Sequence, residues 1–384
     1  MPGVRRLVLL ISVVVFVDTL FYAVVAPLLP TFAEELDLSK AAAGVLAAAY
    51  PAGTLLGALP GGALAARVGP RPTVVLGLGL LGISSLVFGF AQDVVLLDVA
   101  RFFQGVGGAC SWTGGLAWLV ADAPPDRRGA LIGTALGAAI GGSLFGPVLG
   151  ALAESTSREL VFGSVLLVAA GLAAWALATP SVHEPDRQDA SVVAAALRTL
   201  PVVVGMWLVT VPALAFGAVN VVGSLRLDEL GAGTAVIGGT FLAMAALEAI
   251  VSPLVGRVSD RRGRLVPIRA GLAAATAALL LVTLPSAVAP LVAGLIVLAG
   301  CLGAFWAPAM AMLADAAERA GVAQGYAFAL VNAAWAGGAM AGSAGSGALA
   351  DATADAVPFV VLAALTALTL VLALRARRQV PVAA

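Results

Sequence analysis

Three ionisable residues, Asp18, Arg101 and Glu248, stand inside long apolar runs. A charge at the centre of a membrane helix costs about 2.5–3.5 kcal/mol on insertion scales, so each calls for a task. At about 1.5 Å per helical residue, Asp18 lies about 17 Å into the run that begins at Leu7. Arg101 lies about 10 Å into the run that begins at Val94. If these runs cross in opposite directions, the two depths nearly coincide and an ion pair can form, with Asp98 one turn away as a competitor. Desolvation disfavours a carboxylate's charge and a neighbouring arginine favours it. A carboxylate that gains and loses its arginine as helices move would therefore take up and release a proton. A static bridge tying two helices together would use the same residues. Glu248 lies about 21 Å into the run that begins at Thr234, and the basic residue inside a run of the second half, Arg269, stands at the edge of its run. It is a second proton site, a seat for a cationic molecule, or a carboxylate that reaches water.

Tyr22, Gln104, Trp112, Asn220, Trp306, Asn332 and Trp335 share those runs and are the candidate cavity lining. Packing or lipid contact would also explain the aromatic ones. A mostly apolar cavity with one or two acids suits lipophilic or cationic molecules. Sugars and phosphorylated compounds call for many hydrogen-bonding groups or an arginine pair.

The elements that must hold these residues are membrane helices. Hydrophobic residues make up 61% of the 384, and charged ones only 11%. A soluble domain carries about 25% charge, so most of this surface faces lipid. A span needs about 20 apolar residues. Twelve such runs occur: 7–29, 41–64, 73–91, 94–120, 130–152, 160–178, 200–223, 234–255, 266–284, 287–313, 322–349 and 356–374. The first has a basic flank but no small-residue cleavage site, which favours a retained span over a leader. With a cytoplasmic N-terminus, the inner segments carry 17 of the 21 basic residues, among them Arg127, Arg128, Arg187, Arg377 and Arg378. The outer loops hold Lys40, Arg158 and Arg226. Such a bias predicts both termini in the cytoplasm.

The chain also repeats. The segment Gly62–Gly69 recurs as 256–263, 122–129 as 315–321, and 150–154 as 347–351. Three echoes at nearly one offset predict an all-α membrane protein of two pseudo-symmetric six-helix bundles, 1–179 and 200–384. The linker 180–199 between them is polar, with His183, Glu184, Pro185, Asp186, Arg187 and Asp189. Neither the single histidine nor the two cysteines forms a metal motif. Net charge is zero, which gives no reason to expect nucleic acid. No phosphate-binding Gly-x4-Gly-Lys element and no nucleophile flanked by a base is present, so neither ATP drive nor an enzyme is expected.

The loop after the second run, Gly62-Ala-Leu64-Ala-Ala66-Arg67-Val-Gly69-Pro70-Arg71, resembles the signature of the major facilitator superfamily, Gly-x-Leu-Ala-Asp-Arg-x-Gly-Arg-Lys. In that family the acid and bases form a cytoplasmic latch between halves. Here Ala66 replaces the acid, while the second copy keeps Gly256, Asp260, Arg261, Gly263 and Arg264. Basic loops that only fix topology would read the same way. Arg101-Phe-Phe-Gln104-Gly105-Val-Gly107-Gly108 resembles a second family motif, whose arginine is implicated in proton or substrate handling. Gly133, Gly142, Gly146, Pro147 and Gly150 resemble the fifth-helix pattern of the drug:proton antiporter branch, although such spacing also serves ordinary helix packing. The stretch 18–32 is similar to the first helix of vesicular monoamine transporters and their bacterial relatives. In the second half, Asn220 and Asn332 stand where those carriers use acids.

The expectation is a proton-coupled exporter of small amphipathic or cationic compounds, working by alternating access. It would be monomeric, without a cofactor, driven by the proton gradient. An arginine-rich chain with a single lysine, Lys40, fits a GC-rich bacterial genome and hence the bacterial inner membrane. A proton-coupled importer or uniporter of a small metabolite is the alternative. A receptor or scaffold without transport is a third reading.

Overall fold

The structure, a computed structural model, describes residues 2–122, 128–181 and 190–375. Regular structure among them is entirely helical. In chain order the helices are α1 (Pro2–Ala23), α2 (Leu29–Glu35), α3 (Lys40–Arg67), α4 (Pro70–Phe90) and α5 (Val94–Asp122). Then come α6 (Arg128–Ser155), α7 (Arg158–Leu177), the short α8 (Ala190–Ala196), α9 (Leu200–Ala218) and α10 (Ser224–Glu229). The last five are α11 (Thr234–Arg262), α12 (Leu265–Leu281), α13 (Val288–Arg319), α14 (Gln324–Ala352) and α15 (Ala356–Arg375).

Ten stretches among the described residues are long and apolar enough to cross a membrane, counting α1 with α2 and α9 with α10 as single segments. The chain is therefore a multi-pass all-α membrane protein. The shorter α12, of 17 residues, and the 29-residue α14 fall where the sequence predicts the ninth and eleventh spans. Several helices run past the apolar stretches that nominate them. For example, α11 and α13 continue through Arg262 and Arg319, because helical hydrogen bonding persists after the chain leaves lipid. Arg127, Arg187, Arg377, Arg378 and the polar cluster 183–189 lie outside the described residues.

Two segments are interrupted, and the interruptions shape the site. α1 stops at Ala23, and a 3-10 turn at Ala26–Leu28 leads into α2. Pro27 has no N–H to give the Ala23 carbonyl, and Pro30 follows close behind. Between α9 and α10 the chain makes a π-helical turn at Val219–Gly223. Such turns insert an extra residue into a helix and recur at functional sites.

Among the first seven helices, α1 packs on α6, α3 and α4 on α5, and α4 on α7. Later in the chain α9, α11 and α12 pack on α13, α12 on α15, and α14 on α9. Two further pairs, α3 with α14 and α6 with α11, join the earlier helices to the later ones. Small residues make these approaches close. A Cβ on Gly238 of α11 would sit 3.1 Å from the carbonyl oxygen of Pro147 on α6.

Candidate functional site

Asp18 sits near the end of α1 and is 1% exposed. The Tyr50 hydroxyl of α3 donates to both its carboxylate oxygens, at 2.9 Å each. The Trp112 indole N–H of α5 donates to Oδ2 at 2.9 Å. Gly108 makes room for the carboxylate, since a Cβ there would stand 2.7 Å from Oδ1. Tyr50 reaches Asp18 because α3 and α5 touch backbone to backbone. A Cβ on Gly105 would overlap the Tyr50 carbonyl oxygen, and one on Gly53 would overlap that of Phe102.

Arg101 is likewise 1% exposed. Its guanidinium turns toward the broken end of α1, where Nη1 donates to the Phe21 carbonyl at 3.1 Å and Nη2 to that of Tyr22 at 3.3 Å. The last carbonyls of a helix lack helical partners and carry its negative pole, so a buried cation there is accounted for. Nη1 also meets Gln104 Oε1 at 2.7 Å, and Gln104 donates onward to Ser85 at 3.0 Å. The Tyr50 ring lies between the two charges, with the guanidinium 4.9 Å from its centroid.

This corrects the expected ion pair. Among the described residues Asp18 and Arg101 form no salt bridge, and Asp98 does not replace Asp18: its Oδ1 is buried without a partner. Depth along two helices agreed, but the side chains point to different partners. Tyr50 went unnamed in the sequence reading. Its signal was a phenol in an apolar run, beside Pro51 and one turn before Gly53.

The Tyr22 and Tyr50 rings lie 5.0 Å apart, and Tyr22 meets Trp335 of α14 edge-on at 5.2 Å. The Tyr22 hydroxyl lies against the side chain of Asn220 in the π-helical turn. Tyr22 and Asn220 are 198 residues apart, and the two interrupted segments meet through them. Asn332 lies one turn before Trp335 on α14 and is half-buried. Trp306 of α13 packs edge-on against Phe216 of α9 at 6.4 Å. Glu248 is half-buried on α11 against Gly303 of α13, where a Cβ would stand 3.0 Å from its Cγ. No described residue hydrogen-bonds or ion-pairs with Glu248. It lies apart from the Asp18 cluster. No three His, Cys, Asp or Glu among the described residues gather as for a metal.

At one end of the molecule, Lys40 of α3 holds Glu229 of α10 at 2.6 Å and Asp355 at 2.5 Å. One cation from the first half of the sequence thus ties two anions of the second. At the other end lie the repeated loops. Gly69 and Gly263 both adopt positive φ, 113° and 83°, a conformation that favours glycine and turns the chain into α4 and toward α12. Arg67, Arg71, Asp260 and Arg261 form no ion pair among the described residues, and Gly62 and Gly256 touch little. Arg264 pairs with Asp315, linking α12 to α13 instead of bridging to the first half. Among the described residues these loops make no ion pair between the two halves. On the fifth-helix pattern, Gly142 and Gly146 face α1 at backbone contact, where a Cβ on Gly146 would stand 2.7 Å from the Leu20 carbonyl, and Gly150 faces the break after it at Val24 and Pro27. Gly133 faces open space. Three of the motif's glycines therefore seat the first segment, two of them on the helix that carries Asp18 and one on its break.

A family model described as Major Facilitator Superfamily matches residues 11–325 and again 213–383. The chain belongs to the Major Facilitator Superfamily. Curated members similar to it include the MFS-type transporter ppzB of Metarhizium rileyi, 31% identical over 169 residues, 42% of this chain and 35% of that protein. The 4-hydroxybenzoate transporter PcaK of Pseudomonas aeruginosa is 30% identical over 135 residues, 35% of this chain and 30% of the relative. The multidrug resistance protein MdtL of Shewanella oneidensis is 32% identical over 104 residues, 27% of this chain and 26% of the relative. The chain spans from 26% to 35% of the length of these three superfamily members.

Proposed function

We propose that this superfamily member is a proton-coupled secondary transporter that exports small amphipathic or cationic compounds across a bacterial inner membrane. In this reading α12 and α14 also cross, giving twelve spans in two six-helix bundles, 1–179 and 200–384. Both termini are cytoplasmic, and the chain works as a monomer without a cofactor, driven by the proton gradient. The bundles alternate access around a midplane site. One observation carries the reading: Asp18 is a buried carboxylate held by neutral donors from two other helices, with Arg101 near but unpaired to it. A structural bridge would put the opposite charges in contact. An acid held by rearrangeable neutral donors can change its proton. The test is uptake of tetraphenylphosphonium into inverted vesicles under an imposed pH gradient. Uptake should collapse with the gradient, and uptake indifferent to it would refute proton coupling.

Glu248 is the cation-selecting group in this proposal, because its carboxylate has no partner among the described residues. Glu248→Gln should raise the KM for tetraphenylphosphonium about tenfold, the scale of a lost hydrogen-bonded or paired charge. Neutral amphipathic substrates should change far less, and equal losses for both would make Glu248 structural.

A second reading, carriage of a small aromatic acid, draws on the 4-hydroxybenzoate transporter among the relatives and on the buried Arg101. Its weakness is that Arg101 already engages two backbone carbonyls, Gln104 and the Tyr50 ring. The unpartnered Glu248 would also repel an anion. Uptake of labelled 4-hydroxybenzoate in place of tetraphenylphosphonium would decide for it.

In this proposal the Lys40 cluster, which ties Glu229 and Asp355, acts as the outer gate. Exposed or half-exposed ion pairs contribute about 0.2–1 kcal/mol each, so Lys40→Gln should shift the resting equilibrium about threefold toward outward opening. With Asn332→Cys in a background of Cys110→Ser and Cys301→Ser, impermeant maleimide added outside should react correspondingly faster. An unchanged rate would leave Lys40 without a gating role.

A further inference from the structure

We propose that Tyr50 and Tyr22 couple the proton site to the opposite half of the molecule, an inference that rests on the proton-coupled reading above. The contacts run without a gap. Asn220 and Trp335, both from the second half, brace Tyr22 by its hydroxyl and its ring edge. Tyr22 lies 5.0 Å from the Tyr50 ring. Tyr50 in turn gives its hydroxyl to both oxygens of Asp18 and its ring face to Arg101. The interrupted segments at 24–28 and 219–223 border Tyr22 and contain Asn220.

The direction of coupling follows from hydrogen-bond chemistry. An ionised carboxylate only accepts, and donors aimed at it favour the ionised form. With Tyr22 braced, Asp18 holds two donors, Tyr50 and Trp112, and its ionised form is favoured relative to a state with fewer donors. When the bundles rock and Asn220 and Trp335 withdraw from Tyr22, the Tyr22 ring can rotate and Tyr50 can turn with it. Asp18 then keeps only Trp112 and accepts a proton from water on the open side. The Tyr50 phenol retains its own proton throughout. Among the described residues, the other groups that act on Asp18 are the charged Arg101 of α5 and the neutral Trp112. Tyr50 is therefore a positioning residue, acting through Asp18.

The test uses the full chain in proteoliposomes with tetraphenylphosphonium as probe and follows uptake against pH. Tyr50→Phe keeps the ring and its stacking but removes the donor. The pH of half-maximal uptake should move up by roughly one unit, as the loss of one hydrogen bond to a charged group predicts. The KM for the probe should stay essentially unchanged. Asn220→Ala leaves both donors on Asp18 but releases Tyr22, and should lower the number of protons moved per probe ion. A Tyr50→Phe protein with reduced maximal uptake and an unmoved midpoint would overturn the inference, as would Asn220→Ala with the wild-type proton ratio. If the wild-type chain itself shows no pH dependence, the proton-coupled reading fails before either variant is measured.

Discussion

Asp18→Asn is expected to abolish proton-driven accumulation of tetraphenylphosphonium in inverted vesicles, by about two orders of magnitude or more. That is the scale of losing an essential proton-transfer group. The amide keeps an acceptor oxygen for the Tyr50 hydroxyl and the Trp112 indole, the two donors that fix Asp18 now. Its volume nearly matches the carboxylate in the pocket that Gly108 leaves open. Folding should therefore survive, and the variant should elute as the wild type does in detergent. Downhill exchange of the probe between equal pH compartments should also persist, because binding and rocking do not require the proton. Accumulation at the wild-type level would show that the proton travels elsewhere, with Glu248 the next carboxylate to examine.

Gly105→Val is expected to produce a large loss of stability. A Cβ at this position would overlap the carbonyl oxygen of Tyr50, and backbone cannot swing aside as a flexible side chain can. Overpacking a tight interior typically costs about 1–3 kcal/mol, and a backbone collision belongs at or above the upper end. To relieve it, α3 must separate from α5, which draws the Tyr50 hydroxyl off Asp18. Thermal unfolding in detergent should show a lower midpoint, and the remaining folded protein should transport poorly. Gly79→Val is the matched control, since nothing lies within 4 Å of a Cβ there. Equal melting of the two variants would mean that the α3–α5 contact is looser than described.

The apolar runs were legible because the bilayer imposes a length on every span, and the charged ends of the runs mark where the chain leaves lipid. Gly69 and Gly263, paired by the repeat in the sequence, both have positive φ, a backbone conformation that asks for glycine at each. Azimuth was not legible. Counting residues gave Asp18 and Arg101 similar depths, yet depth says nothing about which way a side chain leaves its helix. Arg101 was drawn to the carbonyls freed by the break in α1, a consequence of Pro27 that the proline announced in sequence. The π-helical turn at Val219–Gly223 left no such mark. Tyr50 was passed over because a phenol in an apolar run reads as packing until a buried carboxylate is found opposite it. The antiporter-like glycines of α6 matched a pattern, and the structure gives three of them a plain physical task against α1 and the break that follows it.

The most direct measurement is proton release from the purified, detergent-solubilised chain when tetraphenylphosphonium is added in weakly buffered solution. Near the pH of half-maximal uptake, the wild-type protein should release protons as the cation binds, and Asp18→Asn should bind the cation with that release lost. Binding without any change in proton content, or equal release from both proteins, would contradict a transport cycle that turns on Asp18.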